Sequence, residues 1–240
     1  MSEQLSILGL KVDKITMKEA LERFEQMLTT EGFKYIVTPN SEILEAATKD
    51  EQLADIINGA DMVIPDGIGL VYASKIKKQP LQERVTGIDF SFNALHILSA
   101  YEGKAFFLGS KPGIAEAAAD NMQKEIEGLN VCGTHDGYFK AEDEAALIEE
   151  INNSGADFLL VALGSPKQEF FIQRHKDELH CKVAIGIGGS LDVWSGASKR
   201  APEFYRNHGL EWLYRLKTEP QRFGRMAKIP VFLARVLFDK

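Results

Sequence analysis

The sequence predicts an α/β protein: a mainly parallel, Rossmann-like sheet with helices on both faces, followed by a C-terminal helical appendage. Three observations carry this. Short apolar runs alternate with helix-period segments as far as about Asp192. Several of the runs, such as "KAFFLG" and "DFLLVAL", are continuously apolar, as strands covered on both faces should be. Beyond Asp192 no strand pattern remains, and the chain becomes basic and punctuated by proline.

The opening "LSILGLKVDKIT" reads as a small hairpin. Strands are expected at 34–38, 61–64, 104–109, 129–134, 157–163 and 182–187. Helices are expected at 17–30, 41–58, 66–77, 88–101, 112–127, 142–153 and 166–178. This alternation implies right-handed crossovers and a parallel sheet. Residues 1–195 are assigned to the α/β catalytic domain and 196–240 to the appendage. The appendage reads as two or three helices broken near Pro202, Pro220 and Pro230. Within it Trp212, Leu213 and Leu216 share a helical face. Phe232, Leu233, Val236 and Leu237 form an apolar stripe beside Arg235, suited either to core packing or to a membrane surface.

Composition narrows the function classes. With 240 residues, 45% apolar and 26% charged, the chain suits one large domain or a domain plus an appendage. No apolar stretch approaches the roughly 20 residues of a membrane span, and the first 20 residues lack a signal peptide's pattern, so a cytoplasmic location is expected. Cys132 and Cys181 read as buried, inert thiols, and the five histidines show no ligand spacing, so no metal site is expected. The net charge is −7, yet residues 199–240 carry ten Lys/Arg against four acids. Such a segment suits phosphates, anionic lipid or nucleic acid, or simply a solvated helix face.

Ligands of open α/β sheets bind beyond the C-terminal strand ends, and there the sequence places its glycines and polar residues. "VTPNSE", "IPDGIG", "LGSKPG", "GTHDGYF", "ALGSPKQE" and "GIGGSLD" follow successive strands and read as one pocket rim. "LGSKPG" and "LGSPKQE" each place Gly-Ser and then a proline in the first helical turn, where free N–H groups accept an anion. Gly109, Ser110, Gly164 and Lys167 are therefore expected at a diphosphate. Gly188 and Gly189 permit close backbone approach, Asp192 lies in the same loop, and Tyr138 could stack on a base. Thr38 and Asn40 suit a sugar hydroxyl, with Asn40 or Ser41 as helix cap. Arg84 precedes another helix start and could meet phosphate. In "IPDGIG", Pro65 and the glycines shape a strand-to-helix corner, where Asp66 is expected to help cap the following helix.

No G-x-G-x-x-G fingerprint, P-loop, Tyr-x-x-x-Lys pair or D-x-D sequence occurs, and the aromatic signatures of RNA binding are missing. Nucleotide-sugar epimerase or dehydrogenase chemistry and nucleic-acid partners therefore rank low.

Together, "TPNSEI", "IPDGIGLVYASK", "RVTGIDF", "FFLGSKPG", "HDGYF", "LGSPKQE", "GIGGSLDVWSG" and the segment from Arg200 to Met226 resemble the WecG/TagA/CpsF family of bacterial glycosyltransferases. The C-terminal segment looks most like members that transfer N-acetylmannosamine in wall teichoic acid or related polymer synthesis. The resemblance implies inverting transfer of N-acetylmannosamine from UDP-N-acetylmannosamine to undecaprenyl-diphosphate-linked GlcNAc, giving a β-linked disaccharide. It implies Asp66 as catalytic base, with functional roles for Thr38, Asn40, Arg84 and Gln168. Arg215, Arg222 and Arg225 of the appendage are implied to close over the site. Peripheral association with the inner face of the cell membrane, a homo-oligomeric equilibrium and no cofactor complete the expectation. Another UDP-sugar donor (glucose or N-acetylmannosaminuronic acid) and a non-catalytic nucleotide-sugar-binding module stand as alternatives.

Overall fold

A hairpin opens the chain, β1 (Gln4–Ile7) pairing antiparallel with β2 (Leu10–Asp13). Its turn uses two left-handed residues, Leu8 and Gly9. In this computed structural model, which describes residues 3–207, 210, 213–214 and 228–239, the main sheet has the order β4-β3-β8-β7-β5-β6 with every pairing parallel. The strands are β3 (Lys34–Val37), β4 (Met62–Val63), β5 (Lys104–Gly109), β6 (Asn130–His135), β7 (Phe158–Ala162) and β8 (Val183–Gly186). Each falls within one residue of, or inside, an expected run.

Two-sided burial explains the continuous apolar strands. Phe106, Leu108, Leu159, Val161 and Ala184 enter one core, while their neighbours Ala105, Phe107, Phe158, Leu160 and Ile185 enter the other. The first core is covered by the hairpin and by α2 (Ser41–Ala47), α3 (Glu51–Gly59), α4 (Ile68–Ile76), α7 (Glu144–Ser154) and α8 (Lys167–His175). The second is covered by α1 (Met17–Thr29), α5 (Gly87–Ala100), α6 (Ile114–Glu125) and α9 (Ser190–Trp194).

Local chemistry sets the helix ends. Thr16 and Glu19 form a reciprocal capping box at α1. The single helix expected over 41–58 is two helices. The Asp50 side chain accepts the Leu53 N–H at 3.0 Å and starts α3 afresh.

After the short α10 (Glu203–Asn207), the last described element is α11 (Lys228–Phe238). Pro230 lies in its first turn, where no helical donor is lost, and so does not break it. The predicted apolar stripe divides. Phe232 and Val236 are fully buried, joining the core shared with α2 and α4, whereas Leu237 is 64% exposed. Burying the Phe232 side chain contributes roughly 1.5–3 kcal/mol to holding the helix. Polar ties reinforce it: Arg235 Nη1 reaches Glu45 Oε1 at 2.6 Å, and Asp239 Oδ2 accepts from Lys77 Nζ and from the Leu8 N–H, both at 3.0 Å. The Lys77 hydrogen bond holds the Asp239 carboxyl below its ordinary value.

Cys181 is buried, and desolvation pushes its thiol up to about 12, leaving it inert. Cys132 is half-buried and donates to the Ala105 carbonyl; neither cysteine forms a disulfide.

Candidate active site

The sheet order arranges the loops into a row. Asp66 follows β4, Thr38 and Asn40 follow β3, Gly188 follows β8, Lys167 follows β7, Ser110 follows β5 and Tyr138 follows β6. Residues remote in sequence thus line one edge, as parallel topology requires.

At one end of this row, the two loops after β3 and β4 run together. The Ile64 N–H donates to the Val37 carbonyl at 2.9 Å, and the Asp66 N–H donates to the Pro39 carbonyl at 3.1 Å. Gly67 (φ 93°, ψ 156°) then turns the chain into α4 through a conformation open essentially to glycine alone. Asp66 does not cap that helix. Gly67 is its N-cap and no side chain caps it. Instead Asp66 Oδ2 accepts the N–H of Gly87, the first residue of α5, at 3.3 Å. The positive end of the α5 dipole therefore meets the carboxylate.

Gly87 also touches Thr38. A Cβ at position 87 would lie 3.2–3.3 Å from the Thr38 side chain. Thr38 is buried, and its hydroxyl donates to the Gly186 carbonyl at 2.9 Å. Gln168 packs on the same residue, where a Cβ at 186 would come within 2.5 Å of Gln168 Nε2. Asp66, Gly87, Thr38, Gly186 and Gln168 thus form a contiguous row, with two glycines as the points of closest approach.

Asn40, rather than Ser41, caps α2; its Oδ1 accepts the Glu42 and Ile43 N–H groups at 2.9 and 3.1 Å. Arg84 stands two residues before Thr86, the α5 N-cap. In the first turn of α5, Asp89 accepts from the Thr86 hydroxyl and from Arg200 Nη2, each at 2.5 Å. Arg200 thereby ties the chain that follows α9 to the first turn of α5, which begins at Gly87. Sequence reasoning did not single out Asp89 or Arg200 for the site; the pairing spans 111 positions and has no local signal.

At the other end of the rim lies a cleft of about 1200 Å³, lined among others by Ser110, Tyr138, Lys167, Phe170, Arg174 and Asp192. That volume holds a ligand the size of a nucleotide sugar. Ser110 has a left-handed backbone, and its hydroxyl donates to Asp192 Oδ1 at 2.8 Å. Tyr138 is 71% exposed at this cleft. Gly109 is required by close approach, since a Cβ there would lie 2.5 Å from the Ala162 backbone. Gly164 has a positive φ in the turn before α8. Gly189 is the N-cap of α9, and no side chain caps that helix.

The helix starts differ from expectation. The prolines stand outside the first helical turns: Pro166 is the N-cap of α8, and Pro112 precedes Gly113, the N-cap of α6. Neither N-cap residue supplies a side-chain hydrogen bond, and in α8 the Gln168 N–H of the first turn donates instead to the Gly164 carbonyl at 3.1 Å. The Gly188 N–H donates to Gln168 Oε1 at 3.0 Å and so organises the protein. Arg215, Arg222 and Arg225, together with Trp212 and Leu216, lie outside the described residues.

The cleft's outer wall is an ionic cluster. Glu144 accepts from Arg174 and contacts His175 Nε2 at 2.9 Å. Burial pushes the Glu144 carboxyl up, but Arg174 and His175 outweigh it and bring it below its ordinary value.

Comparison with known proteins identifies the family. The family model described as "Glycosyl transferase WecG/TagA/CpsF family" matches residues 5–240. The N-acetylglucosaminyldiphosphoundecaprenol N-acetyl-beta-D-mannosaminyltransferase of Staphylococcus aureus strain MRSA252 is 35% identical over 235 residues, covering 97% of this chain and 92% of the relative. The protein of the same name from strain NCTC 8325 / PS 47 is 34% identical over the same span. On the family match and on these identities over nearly its whole length, the chain belongs to the WecG/TagA/CpsF family and is a glycosyltransferase.

Proposed function

We propose that the chain transfers N-acetylmannosamine from UDP-N-acetylmannosamine to N-acetylglucosaminyl-diphosphoundecaprenol, with inversion at the anomeric carbon and Asp66 as general base. The observation that carries this reading is the Asp66 carboxylate held at the Gly87 N–H, in one row with Thr38 and Gln168, on the rim that also bears the cleft. The names of the relatives supply the acceptor and the sugar.

The chemistry is a single displacement. The acceptor hydroxyl oxygen forms a bond to the anomeric carbon as the bond from that carbon to the UDP oxygen breaks. The hydroxyl proton passes to Asp66, and the departing diphosphate keeps the bonding electrons. A positioned base contributes roughly 10²–10⁴-fold to such a step. Lys167 at the start of α8, the uncapped α8 and α6 N-termini and the appendage arginines offset the charge growing on the diphosphate. Tyr138 and Asp192 suit the base and ribose of the nucleotide.

Among the described residues no helix is long and apolar enough to cross a membrane. On this reading the enzyme works as a peripheral protein at the inner membrane surface, where a lipid-linked acceptor would reside, with residues 196–240 as the attaching and closing unit. The exposed Val231, Leu237 and Phe238 on α11 support this reading, since they add apolar area next to a basic segment.

The test is incubation with a soluble lipid-diphospho-GlcNAc analogue and a panel of UDP-sugars, followed by mass and linkage analysis. A β-linked N-acetylmannosaminyl product is expected. A product formed only from UDP-glucose or the uronic acid donor would reassign the donor; UDP binding with no product would favour the binding module.

A further inference from the structure

Glu169 is 3% exposed, adjoins Gln168 and takes no part in the displacement described above. Its Oε1 accepts from Gln168 Nε2 at 2.9 Å, while its Oε2 is buried with no hydrogen-bond partner among the described residues. A buried carboxyl oxygen without a partner costs stability, and apolar groups of the same size commonly replace such charges without loss. The cost of burying it is offset by what it holds in place.

What it holds is the neighbouring amide. Gln168 is 2% exposed and has two neighbours of opposite demand. The Gly188 N–H needs an acceptor, met by Gln168 Oε1 at 3.0 Å, and the Glu169 carboxyl needs a donor, met by Nε2. Rotating the amide by half a turn would set donor against donor and acceptor against acceptor, so only one orientation satisfies both. In that orientation one Nε2 hydrogen is committed to Glu169 and the other remains. The amide rests against Gly186, whose carbonyl accepts from Thr38. Fixing the amide thus fixes one end of the row that runs to Asp66.

We infer that Glu169 is a positioning residue for the transfer reaction, which locks the Gln168 amide in a single orientation and so fixes the Gly186–Thr38 end of the row that runs to Asp66. This rests on the reading of the chain as a UDP-sugar transferase acting through the row from Asp66 to Gln168. Burial pushes the Glu169 carboxyl above its ordinary value, while the Gln168 amide, its own backbone N–H and the Ser165 hydroxyl act in the opposite sense. Either protonation state leaves the carboxyl an acceptor oxygen for the amide, so the lock does not depend on the charge.

Glu169→Met and Glu169→Gln separate this role from a structural one. Glu169→Met keeps the volume and removes the acceptor. We expect its Tm to stay at or above that of the parent, its kcat to fall about tenfold, as for loss of a buried hydrogen bond, and its donor KM to move less. Glu169→Gln keeps an acceptor at Oε1 and should restore kcat to within about threefold, a change worth well under the ~1.4 kcal/mol of a tenfold effect. A readout free of turnover is the side-chain amide pair of Gln168 in a ¹⁵N correlation spectrum, assigned by its loss in Gln168→Leu. It should shift and exchange faster in Glu169→Met and return in Glu169→Gln. An unchanged amide pair in Glu169→Met overturns the inference whatever the activity, as does an unchanged kcat per folded enzyme. An inactive parent protein would instead count against the proposed function.

Discussion

Asp66 and Gly87 meet across two loops: the Asp66 carboxylate accepts the first N–H of α5 at 3.3 Å, so the corner after β4 delivers its acid to a neighbouring helix and not to its own. Gly87 in turn abuts Thr38, Thr38 bonds the Gly186 carbonyl, and Gly186 abuts Gln168. The residues implied by family resemblance are coupled through backbone, and substitutions at the linking glycines should report on catalysis as sharply as substitutions at the acids and amides.

Gly186→Ala is the clearest such case. Its Cβ would sit 2.5 Å from Gln168 Nε2 and 2.8 Å from Gln168 Cδ, the far part of a flexible side chain. Overpacking of this kind costs about 1–3 kcal/mol, so the protein should still fold with a lowered Tm. Displacing the amide by an ångström should cost about 100-fold in kcat. Steady-state kinetics on folded protein would check this.

Asn40 serves as helix cap and as a site amide, and two substitutions divide the roles. Asn40→Ala removes the acceptor for the Glu42 and Ile43 N–H groups and should destabilise by about 1 kcal/mol. Asn40→Asp keeps the cap and should unfold like the parent in urea while losing activity with its amide nitrogen.

The tether of α11 should be acid-sensitive. The folded pKa of Asp239 lies below its ordinary 3.8 because of Lys77, so its stabilising contribution is present above that value. It is lost as pH falls through the lowered folded pKa. Hydrogen exchange at residues 228–239 should rise as pH is brought below about 4, and Asp239→Asn should show raised exchange already at pH 7 with a flatter dependence.

On the outer face of α11, Leu237 and Phe238 are 64% and 81% exposed. The double variant Leu237→Ser, Phe238→Ser should weaken sedimentation with anionic vesicles about tenfold or more. Turnover of a soluble acceptor should be unchanged, because neither side chain enters the core.

The strand positions were legible because two-sided burial makes the runs continuously apolar, and a run such as "KAFFLG" admits few other readings. The rim was legible because parallel strands deliver their following loops to one edge. Partnerships were not. Thr38 and Gly186 lie 148 positions apart and Asp89 and Arg200 lie 111 apart, and such pairs depend on sheet order, which periodicity does not encode. Asp66 read as a cap for α4 because a local rule fitted; the neighbouring helix start offered its N–H instead. Likewise the break at Asp50 was hidden inside an unbroken helical pattern, although an aspartate ahead of "EQLADII" is the kind of cap that makes one.

The most direct test of the central claim is Asp66→Asn. The amide retains an oxygen to accept the Gly87 N–H, so the loop geometry and UDP affinity should hold while the proton acceptor is gone. Single-turnover transfer to the soluble acceptor should slow by about 10²–10⁴-fold, with UDP affinity by calorimetry little changed. Transfer at near the parental rate with unimpaired UDP binding would contradict Asp66 as the base.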